Sequence, residues 1–250
     1  MYKDIGALKS ARRDIEGRGR DIRGGRLLAR GDTRSAMGVK VDLRVLELLA
    51  SRVCHDLISP IGAIGNGLEL LEDADDEISG DALKLSVNCV RRASALLEFF
   101  RMAYGTAGSG GGLRWDAAKP LAEGLVEGSK TTLVWGPTPA GLNVPALAPK
   151  LALNLVMLGM EMLPRGGEVV VALQGSGSRL IVSAIASGRD ARLSEEVGAA
   201  IAAAAEPPPP LTARTVHGFF AARLAEAAGG RLEAAAQPSG VRLAASLPAG

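Results

Sequence analysis

The residues with the clearest chemical potential lie in the stretch His55-Asp56-Leu57-Ile58-Ser59-Pro60. A histidine beside a carboxylate can be a buried core residue, a metal ligand or a nucleophile. On a helix of 3.6 residues per turn, His55 lies about 200° from both Val53 and Leu57, so it points away from the apolar side. A metal site needs further ligands one turn away, and the residues there are not usual zinc ligands: Ser51, Arg52, Ile58 and Ser59.

Pro60 favours the nucleophile interpretation. An imidazole exposed to solvent is mostly neutral at pH 7 and keeps a nucleophilic lone pair, and Asp56 can orient the ring or accept its proton. An ordinary exposed histidine is the alternative. A proline inside a helix costs about 3 kcal/mol and removes the hydrogen bond to the carbonyl of Asp56. Because the apolar pattern continues beyond Pro60, a kink one turn after His55 indicates a function.

Two predicted helices must position these residues, one from Asp42 to about Glu72 and one from about Ser79 to Tyr104. The polar break at 73–77 predicts that they form an antiparallel hairpin. A single hairpin cannot bury its whole apolar stripe, so we expect a homodimer in which two hairpins make a four-helix bundle. The stripe consists of Leu46, Leu49, Val53, Leu57, Ile61, Ile64, Leu68 and Leu71 in the first helix and Leu83, Val87, Val90, Leu97 and Phe100 in the second.

The segment from Ser51 to Asn66 resembles the H-box of the dimerisation and histidine-phosphotransfer domain of two-component sensor kinases. This resemblance implies that His55 carries a phosphoryl group, and that Asp56 and Ser59 assist its transfer and hydrolysis. The residues that carry the resemblance are His55, Asp56, Leu57, Ser59 and Pro60-Ile61.

The second half of the chain has a mixed pattern of helices and antiparallel strands, which predicts an α+β sandwich. We expect a basic, disordered extension at 1–40, the hairpin at 41–105, and the sandwich at 113–250 after a Gly/Ser-rich linker at 106–112. The predicted helices are 145–163, 191–205 and 211–228, and the predicted strands are 131–135, 168–173, 179–186, 231–235 and 241–247.

This second half resembles the ATP-binding domain of the same kinases, with three departures. Asn154 matches the first asparagine of the N-box, but Leu158 stands where the family has its magnesium-binding asparagine. The segment 183–189 lacks the aspartate and the second glycine of the nucleotide loop, and 212–218 lacks the glycine spacing of the lid. We therefore expect no productive ATP binding. We interpret His217 as a surface or packing residue without a role.

A phosphotransfer hairpin joined to a kinase-like domain without a nucleotide site resembles the dimeric histidine phosphotransferases of the ChpT type, found in alphaproteobacterial phosphorelays. The resemblance implies that His55 accepts a phosphoryl group from the receiver domain of a hybrid histidine kinase. His55 then passes the group to the receiver domains of response regulators, usually regulators of the cell cycle. The protein needs no cofactor of its own, since Mg²⁺ sits in the receiver. The alternatives are a divergent histidine kinase that uses ATP and a non-catalytic adaptor that binds receivers.

The expected receiver contact lies on the lower hairpin, where Ile58, Ile61 and Gly62 offer small or apolar surface. Glycines are costly in helices, and those at 62, 65 and 67 are explained equally well by a partner backbone and by tight packing within the bundle. Arg52, one turn before Asp56, can meet phosphate charge or form an ion pair with Asp56.

The charge distribution argues against nucleic-acid binding. The chain has a net charge of +2, but residues 1–40 alone hold eleven basic and five acidic residues, so the body is acidic. Two cysteines without metal or disulfide spacing, together with the lack of a leader and of an apolar span, predict a cytoplasmic protein without a membrane segment. We expect Met37 to be the native start.

Overall fold

The computed structural model describes residues 43–73, 76–106, 113–176, 178–202 and 210–249. The expected extension at 1–40, most of the linker at 106–112 and the prolines at 207–209 lie outside the described residues. Residues 39–250 form one unit by their contacts.

A helical hairpin opens this unit, formed by α1 (Leu43–Asp73) and α2 (Asp76–Ala103). Both helices agree with the predicted ones to within three residues at each end. The helix α1 continues through Pro60. Gly67 brings the two helices close together, because a Cβ atom there would collide with the side chain of Ser86 and approach the carbonyl of Ala82. The close packing expected of a glycine-rich helix is therefore found at Gly67.

An α/β domain follows the hairpin, and together they confirm the predicted α+β architecture. Its five-stranded sheet has the order β1-β2-β3-β5-β4, with β1 parallel to β2 and the other neighbours antiparallel. The elements in chain order are α3 (Trp115–Val126), β1 (Thr131–Trp135), α4 (Ala148–Glu161), β2 (Gly167–Ser176), β3 (Arg179–Ser187), α5 (Glu195–Ala202), α6 (Val216–Ala227), β4 (Arg231–Gln237) and β5 (Gly240–Pro248).

The helices of this domain differ from the predicted ones in several places, and α5 begins at Glu195 rather than at 191. The helix α3 was not predicted, because Pro120 interrupts an otherwise helical spacing of buried residues. The helix α4 begins at Ala148 rather than at Pro145. The helix α6 begins at Val216 rather than at 211, because Thr212 and Thr215 form a turn in which the amide of Thr212 donates to Thr215 Oγ1 at 3.0 Å.

One hydrophobic core joins the hairpin to the α/β domain. The second half of α2 contributes Leu96, Phe99, Phe100 and Ala103, which pack with α3, α4, α6 and the sheet. At the start of α1, Val45, Leu48 and Leu49 form a second cluster with Val216, the first residue of α6. Both helices of the hairpin are thus attached to the α/β domain near the same end.

Both helices of the hairpin leave apolar side chains exposed in the single chain. Seven members of the predicted stripe are among them, namely Leu46, Ile61, Leu68, Leu83, Val87, Val90 and Leu97. No helix in the described part of the chain has the length and apolarity needed to cross a bilayer.

Candidate functional site

His55 lies on the exposed surface of α1, with 87% of its side chain accessible to solvent. The predicted orientation away from the apolar stripe is confirmed. Its Nδ1 atom is 3.2 Å from Oδ1 of Asp56, whose side chain is largely shielded. The neighbouring carboxylate therefore orients the ring while the rest of the imidazole remains accessible.

This contact determines which ring nitrogen keeps its lone pair in the neutral ring. A carboxylate only accepts hydrogen bonds, so Nδ1 must carry the hydrogen that it donates to Asp56. In a neutral imidazole the lone pair is then on Nε2. The arrangement suits attack by Nε2 on an electrophile that approaches from solvent.

Beside His55 lies an open cleft of about 940 Å³ between the hairpin and the α/β domain. Its walls include Asp56 and Ser59 from α1 and Arg91 and Arg92 from α2. The opposite wall is formed by residues of α4 and by the loop after α3, among them Met157, Met160, Glu161 and 127–129. A partner that reaches His55 from this side thus meets both parts of the protein.

Arg92 connects α2 to the end of α3 inside this cleft. Its Nη1 atom donates to the carbonyls of Gly124 and Leu125, each at 2.7 Å, which are among the last acceptors of that helix. Burial lowers the pKa of Arg92, and the carboxylates of Glu127 and Asp56 act in the opposite direction. Sequence reasoning missed Arg92, whose partners lie more than thirty positions away.

Arg52 also connects the two parts of the protein. Its Nη2 atom pairs with Oε1 of Glu161, the last residue of α4, at 2.5 Å. The buried Nε atom of Arg52 has no hydrogen-bond partner within the described ranges. Of the two alternatives for Arg52, the ion pair with Asp56 is wrong, because the guanidinium pairs with Glu161 of the α/β domain instead.

His217 is fully buried, so of its two interpretations the surface residue is wrong and the packing residue is confirmed. Its Nδ1 atom is 3.0 Å from Oε1 of Glu161, and its Nε2 atom is 3.1 Å from Oδ1 of Asn154. Burial alone would raise the pKa of Glu161, but the charges and hydrogen bonds of His217 and Arg52 outweigh this effect and lower it. The ring of Tyr104 packs edge-on against His217, with centroids 5.9 Å apart.

Asn154 and Lys150 hold the end of α2. Nδ2 of Asn154 donates to the carbonyl of Ala103 at 3.0 Å, and Nζ of Lys150 donates to the carbonyl of Gly105 at 2.8 Å. These bonds satisfy carbonyls at a helix terminus, where a cation is favourable. Burial lowers the pKa of Lys150.

The residues that the resemblance places at the nucleotide site of the kinases are engaged within the protein. Asn154 is fully buried and both ends of its amide are engaged within the protein. Leu158, which replaces a magnesium ligand, is fully buried in the core. Within the described residues there is also no group of three or more His, Cys, Asp or Glu arranged to hold a metal ion.

The other predicted site residues are exposed but only partly brought together. Ser59 lines the cleft with His55 and Asp56, whereas Ile58 and Gly62 are exposed and do not belong to its lining. A Cβ atom added at Gly62 or Gly65 would meet nothing within 4 Å. Packing within the chain therefore does not explain these two glycines, in contrast to Gly67.

Comparison with known proteins gives matches over most of the chain. The family described as the histidine phosphotransferase C-terminal domain matches residues 115–240. The protein phosphotransferase ChpT of Brucella abortus (strain 2308) is 37% identical over 201 residues, which is 77% of this chain and 92% of that relative. A bacterial phosphotransferase solved at 1.7 Å is 35% identical, with a TM-score of 0.69 over 82% of this chain and 97% of the other.

Proposed function

The chain belongs to the ChpT-type histidine phosphotransferases, a family of phosphorelay proteins, and from this premise we propose that His55 is its phosphoryl acceptor. The donor is the receiver domain of a hybrid histidine kinase, and the final acceptors are receiver domains of response regulators. The observation that carries this proposal is the exposed imidazole whose Nδ1 faces Asp56 at 3.2 Å. Because both partners of such a relay act in the cytoplasm, we assign the protein to that compartment.

The proposed reaction is a displacement at phosphorus. The Nε2 lone pair of His55 attacks the phosphorus atom of the receiver's aspartyl phosphate, the bond from phosphorus to the aspartyl oxygen breaks, and the carboxylate leaves. The ring becomes positively charged as the N–P bond forms, and the Asp56 carboxylate stabilises that charge through Nδ1–H. Transfer to the next receiver is the reverse process. Positioning and charge stabilisation supply most of the catalysis in such reactions.

The remaining site residues contribute to the same event in our proposal. Ser59 lies four positions after His55, in the cleft, and its hydroxyl can hydrogen-bond to the phosphoryl oxygens. Ile58 and Gly62 belong to the surface that the receiver covers, which the open space at Gly62 supports. Arg52 borders this contact and holds α1 through Glu161.

We further propose that the protein neither uses ATP nor holds a metal ion of its own. The engagement of Asn154 by backbone carbonyls and His217 supports this proposal, as does the buried Leu158. The Mg²⁺ ion required for chemistry at the aspartate belongs to the receiver. A divergent ATP-using kinase is therefore the less favoured alternative.

The protein acts as a homodimer in our proposal. Seven apolar residues of the predicted stripe are exposed in the single chain, three on α1 and four on α2. A second hairpin would cover them and complete a four-helix bundle. No nucleic-acid partner is proposed.

The decisive experiment mixes the purified protein with a receiver domain that carries labelled phosphate. We expect acid-labile label on the wild-type protein and none on His55→Ala, which should remain folded because the side chain is exposed. Label on His55→Ala, or no label on the wild type, contradicts the proposal. Label from ATP without another kinase supports the divergent kinase, and receiver binding without label supports the adaptor.

A further inference from the structure

A continuous network of polar contacts connects α2 to α1 through α4 and α6. It begins at the carbonyl of Ala103, passes through Asn154, His217 and Glu161, and ends at Arg52. Four elements contribute to it, namely both helices of the hairpin together with α4 and α6. It therefore links the hairpin to the α/β domain through contacts that the apolar core does not provide.

The donors and acceptors in this network fix the orientation of the Asn154 amide. The amide nitrogen of Asn154 must donate to the carbonyls of Ala103 and Lys150, so the oxygen of the amide faces His217. Both ring nitrogens of His217 then face acceptors, the Asn154 oxygen and the Glu161 carboxylate. Glu161 thus lies between the imidazole of His217 and the guanidinium of Arg52.

Such a network is not an efficient way to stabilise a fold. Buried ion pairs often add no stability over apolar residues of similar size. A carboxylate is also unfavourable at Glu161, the last residue of α4, where the helix dipole is negative. These contacts instead fix the relative orientation of the elements that they join, because charged hydrogen bonds are short and directional.

These contacts orient the turn of α1 that carries His55, the proposed phosphoryl acceptor. Arg52 is three residues before His55 and one turn before Asp56, and the apolar contact of Val45, Leu48 and Leu49 with Val216 lies just ahead of it. Beyond His55, Pro60 cannot donate a hydrogen bond to the carbonyl of Asp56, so the helix is weaker on that side. Val53 and Leu57, on either side of His55, pack against the main core, and Arg52 adds an oriented ionic contact beside them.

We propose that Glu161, held by His217, is a positioning residue for phosphotransfer that acts through Arg52. It fixes the turn of α1 that carries His55 and Asp56 against the α/β wall of the cleft, where the receiver meets both. Misplacing reacting groups by about 1 Å can cost a factor of about 100 in rate. The inference rests on the proposed function, because it assumes that His55 is the acceptor.

The test compares single-turnover transfer from a phosphorylated receiver to the wild type, Glu161→Gln, Arg52→Gln and the double variant. The matched control is Asp190→Asn, which removes the carboxylate from an exposed ion pair with Arg165, 2.8 Å long. Asparagine tolerates the positive φ of 62° at this position, so the backbone is not strained by the change. Thermal unfolding establishes a temperature at which every variant is folded.

At saturating receiver, we expect Glu161→Gln and Arg52→Gln each to slow transfer at least about tenfold. The half-saturating receiver concentration should change less than the rate does. The double variant should be no slower than the slower single variant, because both substitutions remove the same link. The control should transfer like the wild type.

Three results overturn the inference. They are a wild-type rate for folded Glu161→Gln at saturation, a change confined to the half-saturating concentration, and losses that multiply in the double variant. A wild-type protein that accepts no label contradicts the proposed function instead, so the two failures are distinguishable.

Discussion

Asp56 lies against His55 with its Oδ1 atom 3.2 Å from Nδ1 of the imidazole, and this contact gives the exposed ring a single defined tautomer. The carboxylate is mostly shielded, whereas the imidazole is exposed. The residue that orients the ring is thereby protected, while the imidazole itself stays accessible to solvent.

The first prediction concerns this pair. Asp56→Asn keeps an acceptor for Nδ1–H but removes the negative charge that stabilises the ring as the N–P bond forms. We expect transfer from a phosphorylated receiver to slow by roughly 100-fold, measured in a single turnover. The control is Asp81→Asn on α2, whose carboxylate pairs with Lys84 at 3.1 Å on the exposed surface. An unchanged rate in Asp56→Asn would reject the role of the charge.

The second prediction concerns the pH dependence of stability. The pKa of Glu161 is lowered in the folded protein: its burial opposes this, but the interactions with His217 and Arg52 prevail. The contribution of the carboxylate to the free energy of unfolding is therefore complete above the ordinary pKa of 4.5 and is lost as the pH falls through the lower folded pKa. Glu161→Gln should be less stable than the wild type by roughly 1–3 kcal/mol at neutral pH.

Urea unfolding at pH values from about 7 down to about 3 measures this difference. The gap between wild type and Glu161→Gln should stay constant down to about pH 5 and then narrow. A gap that widens in acid would show that the carboxylate is not stabilised in the folded state.

The third prediction separates two kinds of glycine in α1. Gly67→Ala should destabilise the protein by about 1–3 kcal/mol, because the new methyl group collides with Ser86 and the backbone of α2. Gly62→Ala meets nothing within 4 Å and should stabilise the helix by about 0.5–1 kcal/mol. Chemical denaturation of both variants provides the measurement, and each serves as the control for the other. Equal changes in the free energy of unfolding of the two variants would contradict the described packing.

The fourth prediction concerns the apolar stripe of the hairpin. Val90→Glu should convert the expected dimer into a monomer, because a charge would be buried in the bundle. Val134→Glu, at an exposed apolar position of β1, is the matched control and should leave the assembly unchanged. Sedimentation velocity distinguishes the two states. A dimer that survives Val90→Glu would place the interface elsewhere.

Local patterns were sufficient to predict the hairpin, the exposure of His55 and the five strands. Apolar spacing of three and four residues follows directly from helix geometry, and the direction in which His55 points depends only on its position relative to that spacing. The helix α3 was missed because Pro120 is a local signal that favours a break, whereas the burial of its apolar side overrides that signal.

The sequence by itself therefore determined most of the elements and the exposure of His55 beside a carboxylate, since these depend on residues close together along the chain. Only the tertiary structure decided the partners of Arg52, Glu161, His217 and Asn154. The two contacts of His217 join residues 56 and 63 positions apart, and no local periodicity encodes such contacts. They depend on how α4 and α6 pack beside the hairpin, which is a property of the whole fold.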